Sequence, residues 1–282
     1  MLLLVGAGAA AAPIAPGDKP VETLTRTGKW VANYDRDSCT VVAPMGEGPG
    51  AAAVKFTRYE PGDNFDMWIV GSRFAERAPR VGGTVDFGLS PAPFEAYAFA
   101  GNTGKHPVLI FDSMRIDGWH ASRLNEVGPV ISRAQEGQVT GLTLALRGKA
   151  PLRFEFGPLT EPMVAMRRCM EQLVRRWGYD PVQQAAAQRP ASPIKEPRTW
   201  LKFEDYPFKA MMRGHNGIVQ FRLDVDAEGA VAGCVVLART NPDDFGDITC
   251  RAITKRAKFH PALDVRGEPM RAFWVGSVRW VS

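Results

Sequence analysis

The chain has no apolar run of the roughly 18 residues that a membrane-spanning helix requires. It also lacks a C-x-x-C pair, a block of like charge and a heptad pattern. Each absence removes a class. Without the long run there is no candidate span in this sequence, and without C-x-x-C there is little support for zinc or dithiol redox chemistry. Its 35 Lys and Arg are interspersed with 30 Asp and Glu for a net charge of +5, so nucleic acid is not a natural partner. The 28 glycines and 22 prolines, with no heptads, exclude a coiled coil. Histidine is scarce, with four in all: His106 and His120 have no nucleophile or carboxylate partner by spacing, His215 is expected to be solvated in its glycine-flanked loop, and His260 is expected at the surface. H-E-x-x-H, G-x-S-x-G and the P-loop are all missing. An aspartic dyad would need Asp-Thr/Ser-Gly. Asp112-Ser113-Met114 lacks the glycine and Asp117-Gly118 lacks the hydroxyl. Asp86-Phe87-Gly88 stands without a kinase catalytic loop. No catalytic residue, metal ligand or cofactor site is therefore assigned, and the chain is expected not to be an enzyme.

What is present suits a globular protein. The apolar fraction is 45% and the charged fraction 23%. A length of 282 residues makes one large domain or two modest ones. Met1 to Ala12 opens with Leu2, Leu3, Leu4 and Val5 and continues in small residues. Gly6 to Ala11 imitates a dinucleotide-binding glycine turn, but Pro13 and Pro16 would break the helix such a site needs. The favoured reading is a secretory signal peptide over residues 1–17, with Ala9 and Ala11 at the small-x-small cleavage position. The usual basic n-region does not precede Leu2, so the signal is minimal or the chain begins further upstream.

Residues 18–182 read as a β-rich, sandwich-like domain. Short strands are predicted at 30–34, 54–59, 65–70, 84–87, 94–99, 108–111, 139–146 and 152–156, with Gly and Pro in nearly every gap. A helix closes the region: Met163, Met166, Met170, Leu173, Val174 and Trp177 recur at helical spacing, Thr160 can cap it and Gly178 ends it. Residues 183–199 hold Pro190, Pro193 and Pro197 and read as a semi-rigid spacer. Residues 200–282 form a second unit. A short helix spans 208–212, an alternating strand runs from Gly217 to Val225, and Asp226 to Gly229 makes a hairpin turn. The return strand is 230–239, a helix follows Asn241-Pro242-Asp243-Asp244 to about Lys258, and a last strand covers 271–281. Arg256 interrupts that helix's apolar side and is expected to snorkel. The four cysteines allow three pairings. This organisation favours Cys39 with Cys169 and Cys234 with Cys250, one bridge per domain; the alternative is four buried free thiols in a cytosolic protein.

The joints of the second unit are specific: Tyr206-Pro207, Gly217-x-Val219, Asp226…Gly229-x-Val231, Phe259-x-Pro261-Ala262 and Gly267-x-Pro269. In this order and spacing the segment resembles the C-terminal domain of the TonB family, the periplasmic part of an energy transducer that serves outer-membrane transporters. The resemblance implies a three-stranded antiparallel sheet with helices on one face, and an α+β fold overall. It also implies binding by strand addition, in which an extended peptide pairs with the last strand. That edge would be Arg271, Ala272, Phe273, Trp274, Val275, Gly276, Ser277, Val278 and Arg279. Alternatively these aromatics fill the core or cap a homodimer interface. The transducers' membrane helix and long Pro-rich stretch have no counterpart in this sequence. The leading expectation is therefore a non-catalytic periplasmic protein that binds an envelope partner, TonB-dependent outer-membrane transporters among the candidates. A true transducer whose membrane helix lies upstream of Met1 is the second expectation. An envelope hydrolase with its site in the N-terminal domain is the third.

Overall fold

The computed structural model describes residues 21–240 and 244–281. The expected signal segment 1–17, and the 241–243 part of the Asn-Pro-Asp-Asp helix start, lie outside the described residues.

Ten strands build the first unit: β1 (Glu22–Thr25), β2 (Val31–Tyr34), β3 (Cys39–Met45), β4 (Ala52–Arg58), β5 (Phe65–Val70), β6 (Arg80–Asp86), β7 (Phe94–Thr103), β8 (His106–Met114), β9 (Gly141–Leu146) and β10 (Leu152–Glu155). They belong to one continuous sheet in the order β1-β10-β9-β6-β7-β8-β5-β4-β3-β2. Neighbours run antiparallel except β1 and β10. Arg26 bridges to Met45, and Gly46 N–H donates to the Thr25 carbonyl at 2.8 Å. The strand at one end of the order thus touches β3, one strand from the other end, and the sheet wraps around a single core. Alternation supplies that core: Val41, Ala43 and Met45 of β3, Met67 and Ile69 of β5, Leu109 and Phe111 of β8 all face inward. Phe56 sits among Trp30, Phe65, Phe87 and Phe156 with ring centroids 4.8–6.4 Å away.

Two of these strands escape a sequence reading. β1 is four residues long and mostly polar, and β3 carries Pro44 near its end, which demotes it by pattern. The short helix α1 (Arg133–Gln138) also escapes it, although Ser132 and Gln135 form a capping box. The closing helix α2 (Thr160–Arg176) lies where the apolar spacing places it, with Met163, Met166, Met170, Leu173 and Val174 buried. Thr160 is its first residue rather than its cap; Leu159 holds the cap position without a side-chain bond. Cys39 of β3 is bonded to Cys169 of α2, Cα atoms 5.9 Å apart. Charge is handled at the same seam, where the buried Glu136 carboxylate takes both Arg167 nitrogens at 2.5 and 2.9 Å.

Residues 183–199 do not stand free as a spacer. After α3 (Pro181–Ala185), Gln188 N–H donates to the Leu263 carbonyl, and β11 (Ser192–Pro193) pairs with β14 (Phe259–His260). Ala191 is buried in the second core. The prolines shape a strip laid onto the C-terminal unit, because Pro193 still offers a carbonyl and its neighbours supply the N–H groups.

The C-terminal unit contains α4 (Phe208–Met212), β12 (Gly217–Val225), β13 (Val231–Arg239), α5 (Phe245–Arg256), the short pair β15 (Ala262–Leu263) and β16 (Pro269–Met270), and β17 (Ala272–Trp280). Its sheet runs β13-β12-β17, all antiparallel. The hairpin turn is fixed by Asp226 Oδ1, which accepts from Glu228 and Ala230 N–H at 3.1 and 2.7 Å. Gly229 has φ +81°, and a Cβ there would lie 2.1 Å from the Phe259 carbonyl oxygen, so the turn admits only glycine. α5 packs on one sheet face through Phe245, Thr249, Ala252 and Ile253, and Cys250 is bonded to Cys234 of β13. Arg256 does not merely snorkel: its guanidinium grips Asp205 at 2.5 and 2.9 Å and the Trp200 carbonyl at 2.8 Å.

Candidate functional site

β17 lies at the edge of its sheet, with β12 on one side and no strand on the other among the described residues. The directions of its backbone groups follow from the register. Thr240 N–H donates to the Ile218 carbonyl, so Ile218, Gln220, Arg222 and Asp224 aim their backbone groups toward β13. Val219, Phe221, Leu223 and Val225 aim theirs toward β17, opposite Val278, Gly276, Trp274 and Ala272. By alternation, the N–H and C=O groups of Phe273, Val275, Ser277 and Arg279 point outward from the sheet edge.

The two faces of β17 have different neighbours. Toward α5, Trp274 meets Trp200, Phe259 and Phe221 at 5.3–6.0 Å, and Trp280 stacks on Phe245 at 5.3 Å. Gly276 leaves no vacancy in the strand's centre on this side, since a Cβ there would fall 2.4 Å from the Trp274 ring. Gly276→Val is expected to displace that indole and cost about 1–3 kcal/mol by overpacking. A blue or red shift of tryptophan emission together with a lower urea midpoint would register it; an unchanged midpoint would contradict the packing.

The other face of the sheet rests on the first unit. Ile218, Gln220, Arg222 and Asp224 alternate along β12 and, by pattern alone, resemble a wetted surface, yet the first three are buried. Gln220 Nε2 donates to Asp66 Oδ2 of β5 at 3.0 Å. Arg222 lies over the Trp177 ring at 4.6 Å and bonds Asp224 at 3.1 Å. The Tyr179 hydroxyl is shared between Asp224 Oδ1 at 2.8 Å and the Ala272 carbonyl at 3.0 Å. Phe273 is edge-on to Trp177 and Tyr179 at 5.1 and 5.2 Å. Arg271 precedes the strand and stands 5.3 Å from the Tyr179 ring. Arg279 is paired with Asp112 of β8. Val275 is buried on this side, Ser277 is exposed, and Val278 is half-buried toward α5. The first unit thus covers a face of the sheet and leaves the outer line of β17 without a strand partner among the described residues.

Alongside that line lies a cleft of about 110 Å³. Its lining includes Tyr59, Glu60 and Asn64 from the β4–β5 connection, Asp66 and Ser113 of the first unit, and residues 275–277 of β17. Asp66 is 8% exposed and accepts from Ser113 N–H and Gln220 Nε2 at 3.0 Å each. Burial pushes its carboxyl up to about 7, with Asp112 adding to the rise and the two hydrogen bonds and Arg279 opposing it. Burial alone pushes the Glu60 carboxyl up to about 7. Burial also raises the Tyr59 hydroxyl, helped by Asp66 and Asp35. None of these cleft residues is marked by a motif. Only Asp66, a charge between the inward Phe65 and Met67, hints that the outer face of β5 is covered.

The histidines do not gather into a site. His106, His120 and His260 are exposed on separate segments, and among the described residues no group of three or more His, Cys, Asp and Glu could hold a metal.

The fold and the edge define the class: a disulfide-bonded α+β protein whose last third is a three-stranded sheet backed by a helix. Residues 204–281 match the family model described as Gram-negative bacterial TonB protein C-terminal. The match covers the second unit and stops short of the ten-stranded one. No curated protein matches the chain. Among the described residues no helix is long and apolar enough to cross a membrane. The two disulfides suit an oxidising compartment outside the cytoplasm.

Proposed function

We propose that this is a non-catalytic, periplasmic TonB-like protein that takes an extended segment of an envelope partner onto the outer line of β17. The observation that carries this reading is the row of outward backbone groups at Phe273, Val275, Ser277 and Arg279, left without a strand on that side among the described residues. A partner strand laid there pairs those groups, so main-chain hydrogen bonds supply affinity and alternate side chains supply selectivity. The first unit supports this role by holding the sheet from its face: the contacts of Gln220, Arg222, Phe273 and Arg279 brace β17 while its edge stays clear of them. Segments of TonB-dependent outer-membrane transporters are the leading partners, given the family matched by residues 204–281.

The test is a titration of the full-length protein with extended transporter-derived peptides, wild type against Ser277→Pro. Ser277 is exposed and its N–H points outward, so proline removes an edge donor and spares the β12 ladder. A loss of tenfold or more in affinity is expected with the melting temperature held within about 2 °C, since one ladder bond and the fit of the incoming strand are lost together. Equal binding by the two proteins, or no binding of any extended peptide to wild type, would defeat the reading.

A further inference from the structure

The cleft beside β17 has a direction as well as a volume. Side chains of Phe273, Val275, Ser277 and Arg279 point toward the first unit, as the contacts of Phe273 with Trp177 and of Arg279 with Asp112 establish. A strand added along the outer line of β17 places the residues opposite Val275 and Ser277 on that same face. Their side chains therefore enter the cleft between residues 275–277 and the β4–β5 connection.

The walls there hold two buried carboxyl groups, Glu60 and Asp66, neither of them in an ion pair among the described residues. Glu60 has no hydrogen-bond or ion-pair partner among the described residues, and no charged neighbour contributes to its perturbed carboxyl. Asp66 is held by two neutral donors, Ser113 N–H and Gln220. The nearby cations are already engaged: Arg279 with Asp112, and Lys55 over the Trp68 ring at 4.2 Å. A volume of about 110 Å³ admits the end of one side chain rather than a separate ligand. A cation that brings its own hydrogen-bond donors shifts carboxyl groups kept from water toward the ionised form and pairs with them there.

We infer that this cleft is a side-chain subsite for lysine or arginine in the incoming strand, with Glu60 and Asp66 as its acceptors. The inference rests on the strand-addition reading and goes beyond it by naming what the bound segment must carry and where. It also assigns a binding role to the first unit: it builds half of the recognition surface.

Full-length protein is titrated with a panel of extended peptides in which lysine is moved along every position, each compared with norleucine and glutamate at that position. One position is expected at which lysine and arginine bind at least tenfold tighter than norleucine and glutamate binds more weakly still. Glu60→Gln, which removes an ionisable acceptor but breaks no existing hydrogen bond, is expected to bring lysine and norleucine peptides to equal affinity. Peptides that bind with Ser277→Pro sensitivity yet show no preference for a basic residue, or a preference that survives Glu60→Gln, overturn the subsite and leave strand addition standing. Binding by no peptide, or binding indifferent to Ser277→Pro, overturns both.

Discussion

Replacing both Cys39 and Cys169 by alanine is expected to lower the melting temperature by about 10–20 °C. The bridge closes a loop with a sequence separation of 130 residues. In the chain-entropy account, cross-linking a loop of that size restrains the unfolded chain by about 5 kcal/mol, with native strain able to reduce the figure. For a domain of this size each kcal/mol corresponds to about 2–4 °C. The joined elements explain why the effect falls on the whole first unit. Cys39 begins β3, beside the edge strand β2, and Cys169 lies on the buried face of α2, which covers the common core. The Cys234–Cys250 bridge has a separation of only 16 residues, for about 3 kcal/mol on the same account. It fastens α5 to β13 within one small unit. Differential scanning calorimetry of the two double variants should thus show the larger loss for Cys39→Ala/Cys169→Ala. Equal shifts, or a larger one for the shorter loop, would contradict the assignment of α2 as the element tied down by the long closure.

The second unit is the more legible half of the chain. Its joints at Tyr206-Pro207, Asp226 to Gly229 and Phe259-x-Pro261 are demanded by local geometry: the Tyr206 hydroxyl donates to the His215 carbonyl at 2.6 Å, and Gly229 sits against the Phe259 carbonyl. Local demands of this kind leave fixed residue types behind, so they can be read in one dimension. The first unit is legible as strands but not as one wrapped sheet. Its closure depends on β1 meeting β10 more than a hundred residues later and on a single bridge between Arg26 and Met45. The cleft is the least legible feature. Glu60, Asp66 and Val275 meet because the polar face of β12 and β17 docks on the outer face of the first sheet. An alternating polar face such as Gln220, Arg222 and Asp224 has the same pattern whether water or a second domain covers it. The disulfide pairs lay between these cases, since the two-unit organisation favours Cys39 with Cys169 and Cys234 with Cys250, the pairs present in the structure.

The seam between the units should make stability fall as pH rises from about 4 to 7, the reverse of the usual carboxylate behaviour. Asp66 is buried in that seam and its carboxyl is pushed up to about 7 in the folded protein, well above the ordinary aspartate value of the unfolded chain. The folded state therefore binds this proton more tightly than the unfolded state. Below about pH 4 both states are protonated and the stabilisation is complete. Between 4 and 7 the unfolded chain has released its proton and the folded one has not, so stability declines; above 7 both are ionised and the loss is full. At about 1.4 kcal/mol per unit the decline approaches 4 kcal/mol as a ceiling. Glu60, also pushed up to about 7, acts in the same direction. Exposed carboxylates such as Asp264 and Glu126, held below their ordinary range by backbone N–H donors, act oppositely and only at lower pH. Asp66→Asn isolates the buried group. Asparagine Oδ1 can still accept from Ser113 N–H, and the Gln220 amide can rotate to accept from asparagine Nδ2. Urea denaturation between pH 4 and 8 is expected to show a flatter profile for Asp66→Asn and a higher midpoint than wild type at pH 8. The two proteins should draw together toward pH 4, where the folded aspartate is neutral and the unfolded one is close to half protonated. A wild-type profile that instead rises steadily from pH 4 to 8, with the variant running parallel beneath it, would mean that Asp66 stays ionised between the two units and that the seam is held by charge.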